Sequence, residues 1–325
     1  MKLLRVLNVC ILAALLCLPA LAGAREIKVG HGYMNTHPMH LALLSFSEEV
    51  KEKTNGDLVF TIVHSGVLGG EIEMTQQLLG GMLESAFIGG IIMLESFVPQ
   101  AGVEDLPFLF KDSETAYKAF DGEFGKQLAE KYLEPGLKSK AVTYIEHGFR
   151  HVTNNKRPVT TPDDLKGLKL RVPPLELRLA TFKLFGANPI PIAMPELFTA
   201  LQQGTVDGQE NPISMIDSFK FQEVQKYLSL TRHSHTSGVL LIHDMIWKKF
   251  TPEQQQIILE AGENAKILSR ELCAKSEEET LAKLKATSSM EINQPDYAPF
   301  AEKVQSIWQD FTKKNGSDLL DLIER

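Results

Sequence analysis

Cysteine is nearly missing from this 325-residue chain. There are three in all, and Cys10 and Cys17 lie in an N-terminal apolar run expected to be removed, which leaves Cys273 alone. One thiol forms no internal disulfide and cannot build a cysteine-rich metal centre. Positive charge is also short: the formal net charge is −7, and loss of Lys2 and Arg5 with the N-terminal segment takes it to −9 (−7 − 2). Nucleic acid binding, which draws on basic clusters that neutralise phosphates, is thereby excluded. Any bound anion must be held by local positive groups. The chain has no Gly-x-Ser-x-Gly elbow, no His-Glu-x-x-His pair, no dinucleotide-binding glycine fingerprint, no low-complexity tract and no fixed-period repeat. The glycine pairs Gly69-Gly70, Gly80-Gly81 and Gly89-Gly90 are expected to serve turns and close backbone approach.

What is present begins with an export signal. Lys2 and Arg5 precede VLNVCILAALLCLPALAGA, which ends in Ala22-Gly23-Ala24, the order of charged region, apolar region and small-residue cleavage site. Cleavage before Arg25 is expected, making residues 1–24 a signal peptide and the mature protein periplasmic. A membrane anchor is disfavoured because Pro19 interrupts a run already short for a bilayer, and no comparable run follows. Lipidation at Cys17 would want a small residue where Leu15-Leu16 stand. The remaining body, about 300 residues, is long enough for two cores, and 43% hydrophobic with 23% charged residues in the full chain is an ordinary globular composition.

Strand and helix patterns alternate along it. EIKVGHGY (26–33) reads as a strand, followed by a helix entered at Pro38, with Met39, Leu43, Phe46 and Val50 on one stripe and Asn55-Gly56 as its stop. LVFTIV (58–63) is apolar on both faces, as a buried parallel strand is. SGVLGGE opens another helix, LESAFIGGI returns as a strand, and DSETAYKAFDGEFGKQLAEKYLEPG is helical. KAVTYIEHG (140–148), LKLRVP (168–173) and NPIPIAM (188–194) are further strands, with TPDDLKG and LELRLATFKLFGA as helical pieces between them. This is an α/β fold with mainly parallel sheets, which bind ligands outside the carboxyl ends of their strands. One element is out of scale. TPEQ at Thr251 supplies an N-cap, a first-turn proline and a capping-box glutamine, and no proline follows until Pro295. Helical to about residue 286, it would span about 50 Å, enough to run along two domains and tie them.

Arginine is the residue type with the clearest chemistry. Arg150 follows a strand in HGFRHVTN, and Arg171 interrupts the apolar strand LKLRVPP. Either could be a rim ion pair; either could also grip a carboxylate bidentately with its planar fork of donors. Asn211, held extended by Pro212 in VDGQENP, could add an amide to the same oxygens. In that stretch Asp207, Gln209 and Glu210 are expected to hold the turn and hinge. His233-Ser234-His235 would put two histidines on one strand face, a zinc pair if Asp207 or Glu210 completed it, and a secreted zinc hydrolase is the rival reading.

The blocks HPMHLALLSFSEEVKEKTNG, SGVLGGE, EDLPFLF, GFRHVTNNKRPVTTPDDLKGLKLRVP, FTALQQGTVDGQENP and VQKYL follow a signal peptide in that order. In this the chain resembles the substrate-binding proteins of tripartite ATP-independent periplasmic (TRAP) transporters, C4-dicarboxylate-binding branch, over nearly all of the mature sequence. The resemblance implies two α/β lobes with crossing hinge strands and one long helix (about 252–286) spanning both. Lobe I would be 25–147 plus 238–278, and lobe II 148–237 plus 279–325. It implies Arg171 as the main carboxylate clamp, Arg150 as a second contact and Asn211 completing the grip. Glu71 would meet ligand hydroxyls, Phe149 would pack on the ligand, and His37, Asn35 and His235 would line the cleft. It further implies a monomer, neither enzyme nor metal protein and without cofactor, handing its ligand to the small and large membrane subunits of a permease. The expected ligand is a sugar acid such as a uronate, or a C4-dicarboxylate. A ligand-sensing partner of a membrane receptor would share the fold.

Overall fold

A computed structural model describes residues 24–287 and 289–324. The expected signal through residue 23, with Cys10 and Cys17, lies outside the described residues. Among the described residues the strands are β1 (Arg25–Gly30), β2 (Leu58–Val63), β3 (Ser85–Ile88), β4 (Ser139–Asn154), β5 (Lys169–Val172), β6 (Asn188–Pro191), β7 (Gly208–Pro212), β8 (Tyr227–Ser229), β9 (His235–His243) and β10 (Glu291–Asn293). They join in the order β2-β1-β3-β9-β4-β7-β5-β6, with β8 and β10 attached beside β4. Pairs within each half, β1 with β2 and β3, and β5 with β6 and β7, are parallel. The strands that cross between halves, β9 and β4, pair antiparallel with their neighbours. The fold is the two-lobed α/β architecture expected, with crossing strands shared between the halves.

Strand β4 is the spine of this arrangement. Its early residues pair with β9, and residues Arg150–Asn154 pair with β7. The sequence reading ended this strand at residue 148, whereas it continues to Asn154. Gly148 explains the apparent stop: its φ of +103° suits glycine, and the register slips between Glu146 and Gly148, making His147 the extra residue of a bulge. Within VDGQENP, the last five residues likewise form a buried strand, β7, and not only a turn. The helical stretch from Ser113 divides into Ser113–Asp121 and Glu123–Lys131, because the Gly122 N–H turns back to cap the first of them.

The long helix runs Pro252–Thr287, 36 residues, or about 54 Å. Its start is the expected reciprocal box: Gln254 N donates to Thr251 Oγ1 and Thr251 N to Gln254 Oε1, both at 3.1 Å. Small residues let it lie close on β4. A Cβ at Gly262 would stand 2.9 Å from Val142 Cγ1. Farther along, Ser269 Oγ accepts from Glu146 N at 3.0 Å and Cys273 Sγ donates to Glu146 O at 3.1 Å. Side chains of the helix thus satisfy the backbone beside the bulge, where an unmade bond would be costly.

Candidate functional site

The parallel strands deliver their carboxyl ends to one place. Residues after β1 (Tyr33), after β3 (Gly89, Gly90) and in and after β5 (Arg171, Pro173) meet His147 and Arg150 of β4 and Asn211 of β7 around a cavity of about 50 Å³. Glu71, Arg178 and Thr236 complete its polar lining. A larger groove of about 720 Å³ contains Glu95, Glu176, Phe311 and Lys314, but its cation is exposed. Buried charge marks the smaller cavity as the site.

Three arginines are buried here, Arg150, Arg171 and Arg178, each 3–4% exposed. Two are neutralised by protein. Arg150 donates through Nε to Glu210 Oε2 at 2.5 Å and through Nη2 to Glu210 Oε1 at 3.0 Å and Asn211 Oδ1 at 2.8 Å. Arg178 clamps Asp105 through Nε at 2.8 Å and Nη2 at 2.6 Å, and reaches Glu210 Oε1 at 3.3 Å. Burial alone would raise the Glu210 carboxyl, yet Arg150 and Arg178 outweigh it and hold the group well below the carboxylate range. Arg171 is different. Its Nε donates to the Ile192 carbonyl at 2.8 Å, and among the described residues no carboxylate is bonded to its terminal nitrogens. Burial pushes this guanidinium down to about 9, with Glu210 opposing the fall and Arg150 and Arg178 adding to it. It keeps its charge at neutral pH. Of the three buried guanidiniums, two are bonded to carboxylates and Arg171 is the one left without such a partner, in a nearly dry place.

Asn211 donates through Nδ2 to Gln209 Oε1 at 2.6 Å, and Gln209 Nε2 in turn donates to Thr153 at 2.9 Å. This relay aims the amide and leaves its second hydrogen free to donate. Glu71 opens the helix Glu71–Leu79 and accepts from Gly89 N at 2.6 Å. Burial raises its carboxyl, against the pull of the Gly89 N–H and the arginines.

Of the residues singled out from sequence, Arg171, Arg150, Asn211 and Glu71 therefore share the cavity. The others stand outside its lining. Phe149 points to the far side of β4 from Arg150, as neighbouring strand residues do, with Arg232 over its ring at 3.7 Å and His235 5.0 Å away between centroids. His235 bonds Glu146 at 3.0 Å. His37 caps the helix Pro38–Lys53 through Nδ1 and donates from Nε2 to Ser214 at 3.1 Å; burial and His40 bring it down to about 3. Asn35 lies on an exposed turn. His233 and His235 engage different carboxylates, Glu210 and Glu146. Among the described residues no group of three His, Cys, Asp or Glu is placed to hold a metal ion. Asp207 accepts from Lys169 N, pinning the start of β5.

Sequence reading missed Arg178, Tyr33, His147 and Thr236. Arg178 was legible: it follows Leu175 by three and precedes Phe182 by four, an arginine on a helix's buried stripe. His147 depended on the bulge and left no signal.

The family model for the bacterial extracellular solute-binding proteins, family 7, matches residues 29–315. The chain is 33% identical over 304 residues, 93% of its length and 92% of the relative's, to the 2,3-diketo-L-gulonate-binding periplasmic protein YiaO of Escherichia coli. A TRAP periplasmic solute-binding protein from Polaromonas, solved with D-erythronate, superposes with a TM-score of 0.87 at 34% identity, over 92% of this chain and 97% of that one. Another from Sulfitobacter, solved with β-D-galacturonate, gives 0.87 at 30% identity, over 92% and 99%. With this architecture, a buried unmatched arginine at its centre and matches along nearly its whole length, the chain belongs to the family 7 bacterial extracellular solute-binding proteins of TRAP transporters.

Proposed function

We propose that this protein binds an organic acid by docking a carboxylate on Arg171, with Arg150 and Asn211 assisting, and delivers it to the membrane subunits of a TRAP permease. The observation that carries this reading is Arg171, a buried guanidinium with no bonded carboxylate among the described residues, on the lining of a cavity whose other arginines are ion-paired. A ligand carboxylate supplies the missing negative charge and two acceptor oxygens in the geometry that a guanidinium matches. The sugar acids held by relatives fit this role. Entry and exit require the lobes to part. We assign 25–147 plus 238–278 to one and 148–237 plus 279–325 to the other, with the pivot at the Gly148 bulge. Residues 1–24 are read as the signal that takes the protein to the periplasm.

The test is a thermal-shift panel of mature protein with uronates, aldonates, C4-dicarboxylates and short keto and hydroxy acids. A ligand at a hundredfold over its Kd adds about 2.7 kcal/mol of stability. One acid class should raise Tm, and Arg171→Ala should remove the rise by leaving the bound anion without its partner. A full response in Arg171→Ala, or none to any acid in the parent, overturns the proposal.

A further inference from the structure

We infer that His147 is a specificity-determining residue that accepts a hydrogen bond from a ligand hydroxyl, so that the site selects a polyhydroxylated monocarboxylate over a dicarboxylate. This rests on the carboxylate-binding reading above. The bulge puts His147 on the cavity lining, where it is 4% exposed. Its Nδ1 lies 3.1 Å from the Gly89 carbonyl oxygen. A carbonyl only accepts, so Nδ1 carries the hydrogen. Burial, with His37 and Arg150 nearby, holds the ring well below its ordinary range and therefore neutral. Nε2 is left as a lone-pair acceptor, buried and with no partner among the described residues. Tyr33 and His37 flank the ring edge to face, centroids 5.2 and 5.5 Å away, and hold it in place.

Two neighbours on the lining have polar capacity to spare: Thr236 Oγ1, a hydroxyl that can donate or accept, is buried with no partner among the described residues, and Glu71 uses one oxygen on the Gly89 N–H. The cavity thus has guanidinium and amide donors around β5 and β7, and the acceptor His147 Nε2 across from them beside Gly89. A second carboxylate lying against His147 Nε2 would set lone pair against lone pair, whereas a hydroxyl there donates to it. Sites built to bond a hydroxyl strongly reject analogues lacking it, since their own polar groups are then stranded.

Isothermal calorimetry with D-galacturonate, D-galactonate and succinate tests this. The parent should bind at least one of the hydroxylated acids about 100-fold or more tighter than succinate. His147→Phe, which keeps a ring but has no acceptor, should lose most of that margin while succinate binding holds. His147→Gln, which can donate to Gly89 and still accept, should restore the preference and guards against a folding artefact. Arg171→Ala should lose all three acids. Succinate binding as tightly as the sugar acids in the parent, or His147→Phe and His147→Gln weakening all three alike, overturns the assignment while leaving Arg171 intact as the clamp. Failure of the parent to bind any acid sinks the underlying reading instead.

Discussion

Replacing Glu210 by Gln should be among the most damaging single changes available to this protein. Glu210 is fully buried and bonds Arg150, Arg178 and His233. The amide keeps the volume, removes the charge and turns an NH₂ towards guanidinium donors. With Glu210 neutral, Arg150 loses its bonded carboxylate and Arg178 keeps only Asp105. Breaking a buried pair from one side costs about 3–5 kcal/mol. At about 2.1 cal/mol/K per residue, a 300-residue unfolding entropy near 0.63 kcal/mol/K turns that into a fall in Tm of about 5–8 °C. Thermal unfolding followed by circular dichroism reads it directly. The physical cause is tested by a double-mutant cycle with Arg150→Met, which removes one cation. Glu210→Gln/Arg150→Met should be less destabilised than the sum of the single variants by 1 kcal/mol or more, as expected for groups in one network (about 0.5–3 kcal/mol). Additive losses, or a Glu210→Gln protein that melts with the parent, would refute the claim that Glu210 is the counter-ion of this cluster.

Gly262→Val should be destabilised by about 1–3 kcal/mol, because a Cβ there stands 2.9 Å from Val142 Cγ1 and 3.2 Å from Thr143 Cβ; a urea midpoint equal to the parent's would show that the helix gives way freely. Burial, with Asp105 nearby, pushes the Glu95 carboxyl from 4.5 up to about 7. A carboxyl raised on folding contributes stability below its unfolded pKa and loses it as pH rises through the folded one. Glu95→Gln should therefore match the parent at pH 4 and exceed it at pH 8, by about 1–2 kcal/mol once the ceiling of about 1.4 kcal/mol per unit is discounted for solvent screening; a variant less stable at pH 8 contradicts this. Extended dialysis against a chelator should leave Tm unchanged, since no three-ligand metal set is assembled among the described residues; a fall on chelation, reversed by zinc, would revive His233 and His235 as ligands.

The long helix was legible nearly to its ends because every signal for it is local: the Thr251 cap, the first-turn proline, the capping-box glutamine and the absence of further proline. The helix Pro38–Lys53 and strand Leu58–Val63 were legible for the same reason. Arg171 stood out as a charge inside an apolar strand and Arg150 as one just after a strand, but their difference in state did not. Arg150 meets Glu210, sixty positions on in the chain, through β4–β7 pairing, and only that register separates a neutralised arginine from an unmatched one. Phe149 and His235 were misdirected by their neighbours: each lies beside site residues in sequence, and strand alternation turns them to the other face. His147 reverses the lesson. Plain alternation would set it on the same side as Phe149, and the bulge at Gly148 brings it round to the cavity with Arg150.

The interleaving of strands bears on how the chain comes to be folded at all. The early residues of β4 have β9 as their strand partner, and β9 also covers the outer edge of β3. During synthesis from the N-terminus, β3 and β4 therefore wait as open edges until residues 235–243 exist, and β4 waits further for the helix of residues 252–287. Neither lobe can be finished before the other is begun. Such long-range closure slows folding, and unpaired edges invite association with other chains. A protein of this topology depends on being held apart from its neighbours until its last quarter arrives. Truncation anywhere before β9 should give an aggregation-prone fragment and not a stable half-molecule.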